Sequence, residues 1–306
     1  MRYRKLTELN QAMTASEIAM QEADAAFLQE VQKVAEAIHQ SAVERPIILL
    51  SGPSGSGKTT AAFLLERYLD SWNTETHTVS MDNFFRTMTP EQQLLAAEGK
   101  LDLESPDRVD VPYLNQQLKK IITGEPTWLP RYDFRTTTRQ DQNWLLTRKP
   151  GELLILEGIH ALNPDVITVP DEKTVRIYVS VRTRVTHGDT VLQPSRLRLM
   201  RRMLRDRNFR HRSLPETIAM FERVQAGEHK YIAPYKKRAA FSIDTFLPYE
   251  LGIYKTLLNR EIDSCMSHPI LKELHEMWAD IAPLPLEQVP MDSLVREFAG
   301  DSAFQY

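Results

Sequence analysis

Only one cysteine, Cys265, occurs in the 306 residues. A single thiol excludes an internal disulfide framework and suits a reducing compartment. No apolar run approaches bilayer-spanning length, and the opening "MRYRKLTELN" is not followed by the apolar core of a secretion signal. A cytoplasmic protein with no membrane partner is therefore expected. An excess of one charge is also missing: 38 basic against 41 acidic side chains leave a net −3, so the bulk field does not call for a nucleic-acid partner. Internal repeats and low-complexity tracts are absent. What is present, 42% hydrophobic and 26% charged residues, is enough for a sizeable globular core.

Glycine is scarce as well, at 11 residues, yet Gly52, Gly55 and Gly57 fall within six positions. They lie in "SGPSGSGKTT", residues 51–60, straight after the apolar "RPIILL". The spacing is G-x-x-x-x-G-K-[ST], with Gly52, Gly57, Lys58 and Thr59 at the fixed positions. Glycine permits positive φ and close backbone approach, so successive amides can turn around a phosphate chain. A helix over residues 58–72 would aim its N-terminal amides at the same anion. The candidate ATP site is thus Gly52, Ser54, Gly55, Ser56, Gly57, Lys58, Thr59 and Thr60. Lys58 would reach the β- and γ-phosphates, and the Thr59 hydroxyl would ligate Mg²⁺.

Five short apolar runs read as strands: "IILLS", "HTVSM", "ELLILEG", "VRIYVSV" and "FSIDTFLP". Helical patterns at 58–72, 111–123 and 196–208 lie between them. That alternation predicts an α/β fold, a P-loop NTPase-type parallel sheet flanked by helices. "TWLPRYDF" and "NWLLTRK" predict a hairpin outside the sheet. Phe27, Val31, Val34, Ala35 and Ile38 recur with helical spacing, predicting a helix from about Ser16 to Gln40 that packs on the main body. Further helical patterns follow Tyr249, with "ELGIYKTLL" and "LKELHEMWADI" the clearest. The organisation read from this is an N-terminal helical extension (1–44), a P-loop body (45–248) and a C-terminal helical segment and tail (249–306).

Phosphate binding alone does not separate a kinase from a GTPase, a motor or a transporter ATPase. The strand ending in "VSMDNFFR" puts Asp82 at a carboxyl end, where open α/β sheets form their ligand crevice. The strand ending in "LLILEGIH" puts Glu157 at the same edge. Two carboxylates beside a phosphate loop suit metal binding and hydroxyl activation. Eight arginines fall between Arg196 and Arg212, and Arg198, Arg201, Arg202 and Arg205 share one helical face. They suit a lid that neutralises a transferring phosphoryl group. A solvated face or an RNA contact are the other readings.

At this point the motifs carry a family likeness. "GPSGSGKTT", "SMDNFF", "LESPDRVDVPYLNQQLKKIITGE", "PRYDF", "LEGIHAL" and "RRMLRDRNFRHR" resemble, in this order, the uridine kinases and their relatives, including phosphoribulokinase. The resemblance spans about residues 45–240. "PYELGIYKTLL" and "VPMDSLVREFAGDSAF" resemble a bacterial branch of nucleoside kinases. Members of that branch often carry a small ligand-binding domain upstream, for which the first 44 residues leave no room. The resemblance implies Asp82 as base for a nucleoside 5′-hydroxyl, and Thr59, Asp82 and Glu157 around Mg²⁺. It implies Glu104 on the ribose hydroxyls, and Phe85, Tyr132 and Phe134 around the base. It also implies Arg202, Arg205, Arg210 and Arg212 as the arginine set of a helical lid and, by analogy with relatives that oligomerise, a homo-oligomer.

Two positions depart from the family pattern. Thr137 stands where a base-reading His occurs, and Met220 where a base-contacting Gln occurs. The expected activity is ATP- and Mg²⁺-dependent phosphoryl transfer to a small-molecule alcohol, foremost a nucleoside 5′-hydroxyl, with Asp82, Lys58, Arg205 and Arg212 catalytic. A kinase of another alcohol (a sugar phosphate or pantothenate) and an ATP-dependent binding protein are the alternatives.

Overall fold

A computed structural model describes residues 2–15 and 18–305. The chain opens with β1 (Arg2–Lys5), α1 (Leu6–Ala15) and α2 (Ala19–His39), then enters the apolar β2 (Ile47–Ser51). Next come α3 (Lys58–Ser71), β3 (Thr76–Ser80), α4 (Pro90–Ala97) and α5 (Val111–Thr123). The hairpin β4 (Thr127–Asp133) and β5 (Thr138–Leu146) precedes β6 (Leu153–Glu157) and β7 (Thr174–Ser180). After β8 (Thr183–His187) and β9 (Thr190–Leu192) run α6 (Pro194–Arg210) and α7 (Leu214–Tyr231). Strand β10 (Phe241–Asp244) closes the sheet, followed by α8 (Glu250–Leu258), α9 (Lys272–Trp278) and the one-turn α10 (Arg296–Ala299).

The five expected strands form one parallel sheet in the order β10-β7-β2-β6-β3. Alternation along β2 sends Ile48 and Leu50 into one core and Ile47 and Leu49 into the other. Both faces are therefore buried, which is why these strands read as continuous apolar runs. The central β2 has its sequence successors on both sides, so the chain order reverses there and a crevice opens at the strands' carboxyl ends.

The hairpin is present, but β5 begins at Thr138 rather than at Asn143. Its exposed polar residues hide a strand from an apolar search. A second sheet, β1-β8-β9, was not foreseen, because β1 is "RYRK", a polar strand exposed along its length. The predicted start of α2 at Ser16 lies outside the described residues. Its repeat of Phe27, Val31, Val34, Ala35 and Ile38 is buried in the same core as α3. The C-terminal stretch is packed rather than loose: Leu271, Leu274, Leu294, Val295 and Phe298 are fully buried in that core. No helix among the described residues is long and apolar enough to cross a membrane.

Candidate active site

Residues 52–57 bend tightly around the carboxyl end of β2. A Cβ on Gly52 would lie 2.0 Å from the Val179 carbonyl oxygen, and Gly57 holds a left-handed φ of 81°. Three successive loop carbonyls are held from outside. Ser54 O accepts from Arg198 Nη1 at 3.1 Å, Gly55 O from Arg201 Nη1 at 3.2 Å, and Ser56 O from Thr245 Oγ1 at 2.7 Å. A trans peptide points its C=O and N–H in opposite directions, so the amides of Gly55 and Gly57 face the inner side. The first amides of α3 have no carbonyl within the helix, and they add donors to the same concavity. Lys58 Nζ lies 3.5 Å from Pro53 O, across the loop.

Asp82 sits in a single 3₁₀ turn, residues 81–84, directly after β3. Its amide donates to Ser80 Oγ at 3.4 Å. Burial, with repulsion from Glu157 and Glu104, pushes its carboxyl up to about 6 against the pull of Lys58 and Arg210. Glu157 ends β6 in register with Leu50 of β2 and Ser80 of β3. It therefore stands between the phosphate loop and Asp82. Thr59, Asp82 and Glu157 offer hard oxygen donors, and the repulsion between the two acids is what a divalent cation relieves. Among the described residues no group of three or more His, Cys, Asp or Glu forms a cage. Mg²⁺ typically takes one or two carboxylates and completes its shell with phosphate and water oxygens. The residues fit Mg²⁺.

The loop that carries Glu104 packs on one stripe of α7. Arg223 donates to Gly99 O, Tyr231 OH donates to Asp102 Oδ2 at 2.9 Å, and Gly227 between them backs onto the Glu104 side chain. These three residues lie four apart and so share a helical face. Burial raises the Glu104 carboxyl, with Arg202 and Lys58 opposing, and its Oε2 has no hydrogen-bond partner. His160 lies edge-on to Tyr231, and burial pushes its imidazole down to about 4, leaving a neutral ring.

Phe85, Tyr132 and Phe134 meet edge to face, with centroids 5.1–6.4 Å apart. Arg108 stacks 4.8 Å above Phe85 and donates to Tyr132 Oη at 3.2 Å. Phe134 leaves most of its ring exposed, at 63%. Thr137 sits at the hairpin turn with φ 57°, and its hydroxyl accepts from Gln93 Nε2 at 2.8 Å. Its side chain is thus engaged with α4. Met220 is half-buried on α7.

The arginine face of α6 is turned inward, which rules out a solvated face. Arg201 is fully buried, paired with Glu250 at 2.8 Å and bonded to Thr245 O at 2.6 Å. Arg198 is likewise buried, on Glu228 at 2.5 Å, and Arg202 donates to Ser54 Oγ. Arg202, Arg205, Arg210 and Arg212 converge on the buried Asp206, at 3.7, 3.3, 3.4 and 3.9 Å.

Sequence reading did not find Asp206, Arg108, Gly227 or the C-terminal residues Leu294 and Glu297. The last two touch the phosphate loop, Leu294 against Gly57 and Glu297 against Thr60. Gly227 alone left a signal, a glycine inside a helical pattern.

Residues 47–248 match the phosphoribulokinase / uridine kinase family. The chain belongs to this family. Family membership makes it a kinase. It is 30% identical over 205 residues to uridine-cytidine kinase 2-B of Danio rerio, covering 65% of this chain and 72% of that one. It is also 30% identical over 202 residues to a uridine kinase of Lactobacillus helveticus, covering 64% and 85%. The solved structure of a possible uridine kinase from Bacillus stearothermophilus covers 71% of this chain and 98% of its own, at 17% identity and a TM-score of 0.47.

Proposed function

We propose that this kinase transfers the γ-phosphoryl group of ATP to the 5′-hydroxyl of a nucleoside. The observation that carries the reading is the placement of Asp82, in the turn directly after β3, with Glu157 ending the neighbouring β6 in register with Ser80 and the phosphate loop following β2. In this reading the loop amides and Lys58 hold the triphosphate, and Glu104 holds the ribose hydroxyls. Asp82 orients the acceptor hydroxyl and takes its proton as the new P–O bond forms. Bound Mg²⁺, on Thr59, Glu157 and Asp82, would neutralise charge on the phosphates. Arg202, Arg205, Arg210 and Arg212 face the transferring group and exclude water, Arg205 and Arg212 acting on the charge that develops there. Residues 45–248 form the catalytic body, braced by the segments 1–44 and 249–306.

The base is read loosely. Phe85, Tyr132 and Phe134 supply aromatic surface, while Thr137 and Met220 replace directional polar readers by a hydroxyl turned to Gln93 and a flexible thioether. Without a buried polar pair to penalise a mismatch, discrimination among bases should stay within about tenfold. Ribose should be preferred to deoxyribose, and purine nucleosides should be accepted.

Steady-state kinetics with uridine, cytidine, adenosine, guanosine, inosine and their 2′-deoxy forms test this reading. A strong pyrimidine preference would show that other residues read the base. No turnover on any nucleoside would favour the second reading, a kinase of another alcohol, which the departures at Thr137 and Met220 support. ATP hydrolysis without any phosphorylated small molecule would favour a binding protein.

A further inference from the structure

The phosphate loop has a partner from the far end of the chain. Glu297 on α10 accepts from Thr60 Oγ1 at 2.5 Å and from the Thr60 amide at 3.3 Å. Thr60 is the third residue of α3, so its amide is one of the donors that an α-helix leaves unused at its N-terminus. In a G-x-x-x-x-G-K-[ST] loop these donors cradle the α- and β-phosphates. A carboxylate therefore stands where a phosphate oxygen would stand.

The placement is built rather than incidental. Leu294 packs against the phosphate loop so closely that a Cβ on Gly57 would meet it at 2.5 Å. Arg296 Nη2 donates to Leu286 O and Val289 O, both at 2.9 Å. Asn208 of α6 donates to Phe298 O at 3.2 Å and to Ala299 O at 3.0 Å. Phe298 is fully buried, with the Arg201 guanidinium 5.2 Å from its ring centroid. The backbone of α10 is thus fixed, so any change at this contact falls to the Glu297 side chain. Burial opposes a charge on that carboxyl, and Thr60, Arg205 and Arg201 offset the opposition.

We propose that Glu297 is a built-in competitor of the donor nucleotide, a side-chain gate that occupies the phosphate position at Thr60 until ATP displaces it. The proposal rests on reading residues 52–60 as the ATP site. Two negative groups cannot share the Thr60 amide without strong repulsion. ATP affinity in the wild-type chain is therefore the intrinsic affinity reduced by the work of moving the carboxylate aside. Glu297 sets the donor's Kd without touching the transferred phosphoryl group.

Calorimetric titration of MgATP into the full-length wild-type, Glu297→Gln, Glu297→Ala and Lys58→Ala proteins, with no acceptor present, tests the gate. Glu297→Gln keeps the shape and packing, so it carries the test should the alanine variant fold poorly. Both Glu297 variants are expected to bind MgATP at least about tenfold more tightly than wild type. Unchanged, weaker or undetectable binding in Glu297→Gln overturns the gate and makes Glu297 a structural clasp. Lys58→Ala answers the other question: undiminished binding there would overturn the loop as the ATP site, whatever the Glu297 variants do. A second readout is the Thr60 amide proton resonance, expected to move on Glu297→Gln in the nucleotide-free protein. An unmoved resonance would show that the contact is not made in solution.

Discussion

Gly227 and Glu104 touch so closely that a Cβ added to Gly227 would lie 2.4 Å from the Cβ of Glu104. A glycine inside α7 costs about 1 kcal/mol of helix stability relative to alanine, and here it makes room for the Glu104 side chain. Propensity alone predicts that Gly227→Ala stabilises the protein. The contact predicts the opposite, a loss of about 1–3 kcal/mol from overpacking. Thermal unfolding decides the sign, and a raised Tm would show that the 99–105 loop yields. Where a nucleoside is turned over, its KM should rise more than that of ATP.

Asp82→Asn keeps the side chain's shape but removes its proton acceptor and its charge. Loss of a general base costs about 10²–10⁴-fold in rate. The loss is expected in kcat, with acceptor KM little changed. A fall of less than about tenfold would reduce Asp82 to a structural role.

Arg205 meets Asp206 at 3.3 Å and is mostly buried. A guanidinium that acts on developing phosphoryl charge contributes more in the transition state than in the ground state. Arg205→Ala should therefore lower kcat more than it raises the KM for ATP. Normal kinase rates with lost RNA affinity would point to a nucleic-acid surface instead.

The buried Asp24 of α2 gives a pH prediction. Burial raises its carboxyl from 3.8 to about 6, although Tyr249 OH donates to it at 2.5 Å. The folded chain thus holds a proton that the unfolded chain releases. That stabilisation is full below about pH 4 and is lost as pH rises through about 6, a swing of at most about 3 kcal/mol. Asp24→Asn should flatten the dependence of Tm on pH between about 4 and 6 and leave the variant more stable than wild type at pH 8. Parallel Tm curves for the two proteins would contradict it.

The legible features were those with local patterns. β2, β6 and β7 announce themselves because both faces are buried, and α5 because Leu114, Leu118 and Ile121 recur at helical spacing. The phosphate loop is legible because its geometry demands glycine. β1 is not, since "RYRK" earns its pairing from β8, 181 residues away at Arg2↔Thr183, and buries no apolar face. Arg201 reads like its neighbours on α6, yet its role depends on Glu250 and Thr245, which lie beyond any window of local periodicity. Glu297 is hidden for the same reason.

The contact between Thr60 and Glu297 spans 237 positions of sequence. A chain emerging from the ribosome exposes Thr60 well before Glu297 is made. Contacts of such separation are late rewards in folding, because loop closure must come first. While the intervening positions are made, the nascent chain therefore presents the loop without Leu294 or Glu297 against it, and the Thr60 amide waits without its carboxylate.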